Sequence, residues 1–194
     1  MLRQILTWAA ALLIGAVLGV ASAWAALTFG RAGFSETFGG WHFSRAAGST
    51  SAGLYTRAII AREGLLALSA REAVYFSLYE DDHGDPLTES CVYELRGLPL
   101  DARWWSVTLY ADDNFLAQNN DNAASIDATR IGNDRPWTAR IAPVRGDAAY
   151  WLSSRAARRG FLIMLRVYNP QQDFRPSAEA LPVLTRLSCA GDGG

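Results

Sequence analysis

The sequence predicts a mainly β chain: an antiparallel, jelly-roll-like β-sandwich with one N-terminal amphipathic helix, preceded by a single transmembrane helix. Three observations carry that expectation. Gln4 to Gly30 contains no charged residue. From Glu72 onwards, apolar residues recur with the strand period of two. Seven or so such runs are separated by Gly, Pro, Asn and Asp clusters, a spacing that suits a sandwich or barrel. With 194 residues, one globular domain is the default.

The 27 positions from Gln4 to Gly30 would form a helix of about 40 Å, longer than the roughly 30 Å hydrocarbon core of a bilayer. Polar residues do not recur at helical spacing, as they would on a core helix with one wet side. Two readings fit. In one, Arg3 is the n-region of a signal peptide, Leu12 to Val20 its apolar centre, and Ala21-Ser22-Ala23 its cleavage site. In the other, the segment is an uncleaved signal anchor, because the apolar run continues through Trp24, Leu27 and Phe29. The anchor is the preferred reading. It makes the chain a single-pass inner-membrane protein with a periplasmic domain; cleavage would release a secreted form. Arg3 is answered by Arg31 and Arg45, so orientation rests on the short N-terminus. Gly15 and Gly19, within a stripe completed by Ala11 and Ala23, would let two helices approach as a homodimer, although small residues also fall at this spacing by chance.

The expected organisation is an anchor over 1–30, a linker over 31–53, a β-sandwich over 54–190 and a tail over 191–194. The linker is rich in Gly, Ala, Ser and Thr, with Phe34, Phe38, Trp41 and Phe43 packing on the domain. Leu54 to Leu68 reads as a helix. Ser49, Thr50 or Ser51 would cap it, Leu54, Ala58, Ile59, Leu65 and Leu66 lie near helical spacing, and Gly64 would bend it. Ala73 to Glu80 is a strand, with Val74, Phe76 and Leu78 on one face and Tyr75, Ser77 and Tyr79 on the other. Asp81 to Pro86 is a turn cluster, and Thr88 to Arg96 returns to close a hairpin. Trp104 to Tyr110 is a central strand: Trp105, Val107 and Leu109 face a core, and Trp104, Ser106, Thr108 and Tyr110 face something wetter. Asp112 to Asn122 is a polar loop. Ser125 to Ile131 and Trp137 to Ala142 are short strands, Asp147 to Arg159 is irregular, Gly160 to Tyr168 is the second strong strand, and Leu181 to Cys189 is the last.

Composition excludes several function classes. Net charge is −1 and charged residues make up 19%, so no basic excess exists to neutralise phosphates, and nucleic acid is not an expected partner. All 18 basic residues are Arg, a compositional bias and not a site. Cys91 and Cys189 show no C-x-x-C spacing, and in an exported protein they suggest one disulfide. With only His42 and His83, a multi-histidine metal site is nearly excluded, and no cofactor is expected. A Ser-His-Asp triad would need one of the two, and no G-x-S-x-G occurs. The acidic turn Glu80 to Asp85 lacks EF-hand spacing and reads as a solvated turn; the Asx residues of 112–122 likewise serve turns.

Three blocks carry a family resemblance. The first is Tyr55-Thr56-Arg57-Ala58 with Gly64 to Ser69 ahead of a Glu-Ala-x-Tyr-Phe strand. The second is Arg103 to Tyr110 with Asp113, Asn114 and Phe115. The third is Leu165-Arg166-Val167-Tyr168-Asn169-Pro170. Over roughly Leu54 to Cys189 the chain resembles the bacterial envelope family known as domain of unknown function twelve-fourteen, in its short, membrane-anchored form. The resemblance implies a jelly-roll-like sandwich and no settled activity, substrate or cofactor. Family members often have Asn-Trp-Leu-Pro where this chain has Tyr150-Trp151-Leu152-Ser153, so a role resting on that Asn or Pro does not transfer.

The wetter strand faces supply the candidate site. Tyr79, Glu94, Trp104, Tyr110, Asp113, Arg166 and Tyr168 would place aromatic rings beside carboxylates and a guanidinium, a surface for a glycan or a flat polar ligand. The competing expectation is a second, partly polar packing layer under the helix and loops. Arg166, inside an apolar strand, needs a partner, and Glu94 or Asp113 is the expected one. The resulting expectation is a binding or accessory module of the cell envelope, with a glycan or protein ligand. The alternative is an enzyme using Glu94 with Asp112 or Asp113 as paired carboxylates beside Arg166.

Overall fold

Period-two alternation sorts the side chains of the computed structural model onto one shared core and two outer faces. The structure describes residues 1–29, 36–43, 53–62, 68, 69, 71–171, 174 and 176–190. In chain order these form α1 (Leu2–Phe29), β1 (Glu36–Phe38), β2 (Trp41–Phe43), α2 (Leu54–Arg62), β3 (Ala73–Leu78), β4 (Cys91–Gly97), β5 (Ala102–Ala111), β6 (Ser125–Asp127), α3 (Ala128–Ile131), β7 (Trp137–Ala142), β8 (Tyr150–Ser153), β9 (Phe161–Pro170) and β10 (Val183–Cys189). One sheet runs β1-β2-β3-β9-β5-β6 and the other β10-β4-β7-β8. β7 and β8 pair in parallel, and the other strand pairs are antiparallel.

The inner faces are those the alternation predicts. In the six-stranded sheet, register aligns Val74, Val167 and Trp105, then Phe76, Leu165 and Val107, then Leu78, Ile163 and Leu109. The four-stranded sheet answers with Tyr93, Leu95, Trp137, Ala139, Ile141 and Leu184, in the same core cluster. Trp105 stacks on Trp137 across the two sheets, with centroids 4.9 Å apart and an interplanar angle of 15°. Each large apolar side chain buried here contributes roughly 1.5–3 kcal/mol over its exposed state. Cys91 and Cys189 are register partners on β4 and β10 and form a disulfide, with Cα atoms 4.0 Å apart and a sequence separation of 98.

In α1, Leu2–Ala26 is long and apolar enough to cross a membrane, with a mean hydropathy of 2.1, and none of it is buried. That fits a membrane anchor or a signal sequence. Gly15 and Gly19 have nothing within 4 Å of a would-be Cβ, so the notch between them is open.

Four expectations need correction. The expected linker over 31–53 contains β1 and β2, which extend the six-stranded sheet. Trp41 is fully buried, and its Nε1 donates to Pro182 O at 2.6 Å, tying β2 to the entry of β10. The strands on either side of Asp81–Pro86 do not form a hairpin: β3 lies in one sheet and β4 in the other, with only a Glu80–Pro86 bridge between the flanking segments. The stretch read as irregular contains β8, paired to β7. The segment read as a strand over Ser125–Ile131 turns helical after three residues, because Asp127 accepts hydrogen bonds from the backbone N–H groups of Thr129 and Arg130 and so caps α3. Of the expected helix over 54–68, α2 forms Leu54–Arg62 and Leu68 is not helical; positions 63–67, with the proposed bend at Gly64, and the caps at 49–51 lie outside the described residues.

Candidate functional site

The outward positions of β3, β9 and β5 build one continuous strip. Register places Ala73 beside Tyr168 and Trp104, Tyr75 beside Arg166 and Ser106, Ser77 beside Met164 and Thr108, and Leu162 beside Tyr110. Much of the strip is closed. Ala73, Tyr75, Leu162 and Met164 form a second buried cluster, and Ser77, Ser106 and Thr108 are buried with it. The competing expectation of a second packing layer holds for this part. Trp104, Tyr110, Arg166, Tyr168 and Tyr79 stay half-exposed and define the accessible rim.

Within that rim Arg166 is the charged centre. Its Nη2 donates to the Tyr110 hydroxyl at 2.5 Å and its Nη1 to Thr108 Oγ1 at 3.4 Å. The guanidinium carbon sits 5.4 Å from the Tyr110 ring centroid, within cation–π range. No carboxylate pairs with Arg166 among the described residues. Trp104 and Tyr168 lie one strand apart with ring centroids 5.3 Å apart, and Trp104 Nε1 donates to Thr129 Oγ1 at 2.9 Å, which fixes the indole. At the far end His42 meets the Tyr79 ring edge-on at 5.4 Å. The arrangement is a rigid aromatic shelf around a cation held by hydroxyls.

The two carboxylates expected here lie elsewhere. Glu94 is on the outer face of the other sheet, where it pairs with Arg96 at 2.5 Å. Asp113 is in the turn after β5, where it accepts from Phe115 N at 3.0 Å and lies 3.6 Å from Arg158. Neither partners Arg166, and the proposed pairing of Glu94 with Asp112 or Asp113 is not formed. Glu94 misses because the outer faces of the two sheets of a sandwich point in opposite directions, and Asp113 because it lies in a turn beyond the end of β5.

The acidic turn is not simply solvated. The Asp81 side chain is fully buried, and its Oδ2 receives Arg186 Nη1 at 2.9 Å. The same nitrogen reaches Asp85 Oδ2 at 2.6 Å. Asp81 Oδ1 accepts from the backbone of His83 at 2.9 Å and of Asp85 at 3.1 Å. Asp81, Asp82 and His83 have ligand atoms within 4.8 Å of one another, but the guanidinium already occupies the cation's place at Asp81. Burial opposes the charge on Asp82, yet hydrogen bonds from the Arg186 backbone and the His83 ring prevail and hold its carboxyl below the usual value.

A second network, of Asp121, Ser153 and Arg155, carries no local signal in the sequence. Asp121 is held by Arg155 through paired hydrogen bonds, with Nε at 2.9 Å and Nη2 on the other oxygen. Ser153 Oγ donates to it at 2.6 Å. Arg155 first, then Ser153, keeps the Asp121 carboxyl below its ordinary value. Ser153 thus supplies one arm of this network. Asx turns at Asp113 and Asn119, and positive φ at Asn114 (64°) and Asn122 (53°), shape the loop as its composition predicts.

Similarity to a solved protein agrees with the fold. The VPA0106 protein from Vibrio parahaemolyticus aligns with a TM-score of 0.55 and 21% identity, over 71% of this chain and 36% of that one. An uncharacterized protein from Burkholderia cenocepacia aligns at 0.43 and 16%, over 59% and 30%. The chain thus spans about a third of the length of these solved proteins. No curated protein matches it. The family described as "Protein of unknown function (DUF1214)" matches residues 72–172, from the residue before β3 to just past β9. That interval covers just over half of the sequence and most of the strands of both sheets, and the chain belongs to that family.

Proposed function

We propose that the chain is a binding module tethered to the inner membrane by α1, with its sandwich in the periplasm, and that it holds an acidic glycan of the cell envelope on the Arg166 shelf. The observation that carries this reading is Arg166 itself. A half-buried guanidinium spends its contacts on two hydroxyls, with no described carboxylate to neutralise it. A ligand carboxylate would complete it with charge-assisted hydrogen bonds, while Trp104 and Tyr168 stack a sugar face. The apolar N-terminal helix and the disulfide support the compartment.

The test is a titration of the full chain in detergent micelles with a uronate-bearing oligosaccharide and its neutral counterpart, followed by tryptophan fluorescence. The acidic sugar should bind and the neutral one should bind less well. Arg166→Ala should weaken the acidic sugar by about tenfold or more, the scale of one lost charged hydrogen-bond pair. Unchanged affinity in a folded Arg166→Ala variant would remove this shelf from the account.

A further inference from the structure

The opposite outer face carries a second opening. A cleft of about 600 Å³ lies between β4, β7 and the chain that joins β7 to β8, lined by Glu94, Thr138, Arg140, Gly146, Asp147 and Leu187 among others. Its walls follow from the register. Glu94 and Arg140 are cross-strand partners, as are Arg96 and Thr138, so all four project from one face. The register slip between Arg186 and Ser188 sits where Leu187 enters the rim. The loop is folded on itself: Arg145 donates to Ala148 O at 3.2 Å and to Ala149 O at 3.4 Å, with Gly146 at φ 58°.

Arg140 is the unusual wall residue. Its neighbour Glu94 turns to Arg96 instead. The Arg140 side chain makes no hydrogen bond or ion pair among the described residues, and its Nε is shut off from solvent with no acceptor. A Cβ built on Gly146 would stand 4.0 Å from that Nε, so the loop backbone closes over one edge of the guanidinium. The rest of the guanidinium lines the open cleft and also has no acceptor among the described residues, so it can take an anionic partner through its Nη groups, beside the covered Nε. Glu94 and Asp147 line the same cleft, which disfavours a dense dianion and offers acceptors for hydroxyl groups.

We infer that this cleft is a second binding site, taking a small hydroxycarboxylate with its carboxylate on Arg140 and its hydroxyl groups towards Glu94. It is independent of the Arg166 shelf, which faces the other way. The probe is gluconate, a monocarboxylate rich in hydroxyls, added to the full chain in detergent micelles and followed at the Arg140 Nε–Hε resonance, which reports this cleft alone. Arg140→Gln assigns the resonance by removing it. Gluconate should move the resonance saturably, and glucose at the same concentration should not. Gly146→Asp, which suits a left-handed backbone and sets a carboxylate beside Arg140, should abolish the gluconate response. An Arg140 resonance that gluconate does not move saturably, that glucose moves equally, or that still responds fully in Gly146→Asp would overturn the inference.

Discussion

Gly97 leaves no space for a side chain: a Cβ there would lie 2.1 Å from Trp137 Cε2, because the indole lies across its register partner. Gly97→Ala must push the indole off Trp105, and a loss of about 1–3 kcal/mol is expected in denaturant unfolding. Arg186 is the other residue that many contacts converge on. Arg186→Met would strand the buried Asp81 carboxylate, and a cost of about 3–5 kcal/mol is expected from the same measurement. Asp121 gives a pH signature. Its carboxyl titrates below the ordinary aspartate value in the folded chain, so it contributes stability above that ordinary value and loses the contribution as pH falls through the folded value. Thermal melts from pH 7 to about pH 2 should fall less steeply in Asp121→Asn than in the parent. Parallel pH profiles would mean that Arg155 does not hold Asp121 as described.

At the level of elements, the sequence showed which residues of a strand face inwards but not which sheet each strand joins. β3, β5, β7 and β9 were legible because long runs alternate without Gly or Pro inside them, and register then follows from burial. Sheet membership depends on where the connections lead. The 81–86 turn carries the chain across the sandwich through the Asp81–Arg186 latch, whose partners are 105 residues apart, so no local pattern could reveal it. β1, β2 and β8 have three, three and four residues, too few to establish a period. Arg140 was visible as an outward position of Trp137–Ala142, but its place beside Glu94 required knowing that β4 pairs with β7. Arg166, Trp104, Tyr110 and Tyr168 share one face because they alternate on β5 and β9, which are adjacent strands.

Across the whole molecule, the Cys91–Cys189 bond is the staple between β4 and the last strand. It closes a loop of nearly a hundred residues, and the chain-entropy model sets its contribution at up to about 4–5 kcal/mol. Reduction should therefore lower the midpoint of unfolding without abolishing a core that the two sheets already form. The same bond reports where the domain resides, since a reducing cytoplasm would keep both thiols free. The most direct measurement is on cells: trap thiols with acid, then add a maleimide polymer before and after reduction. An apolar-tethered sandwich on the oxidising side of the membrane requires no mobility shift before reduction and two additions after it. Two additions before reduction would contradict both the staple and the periplasmic placement.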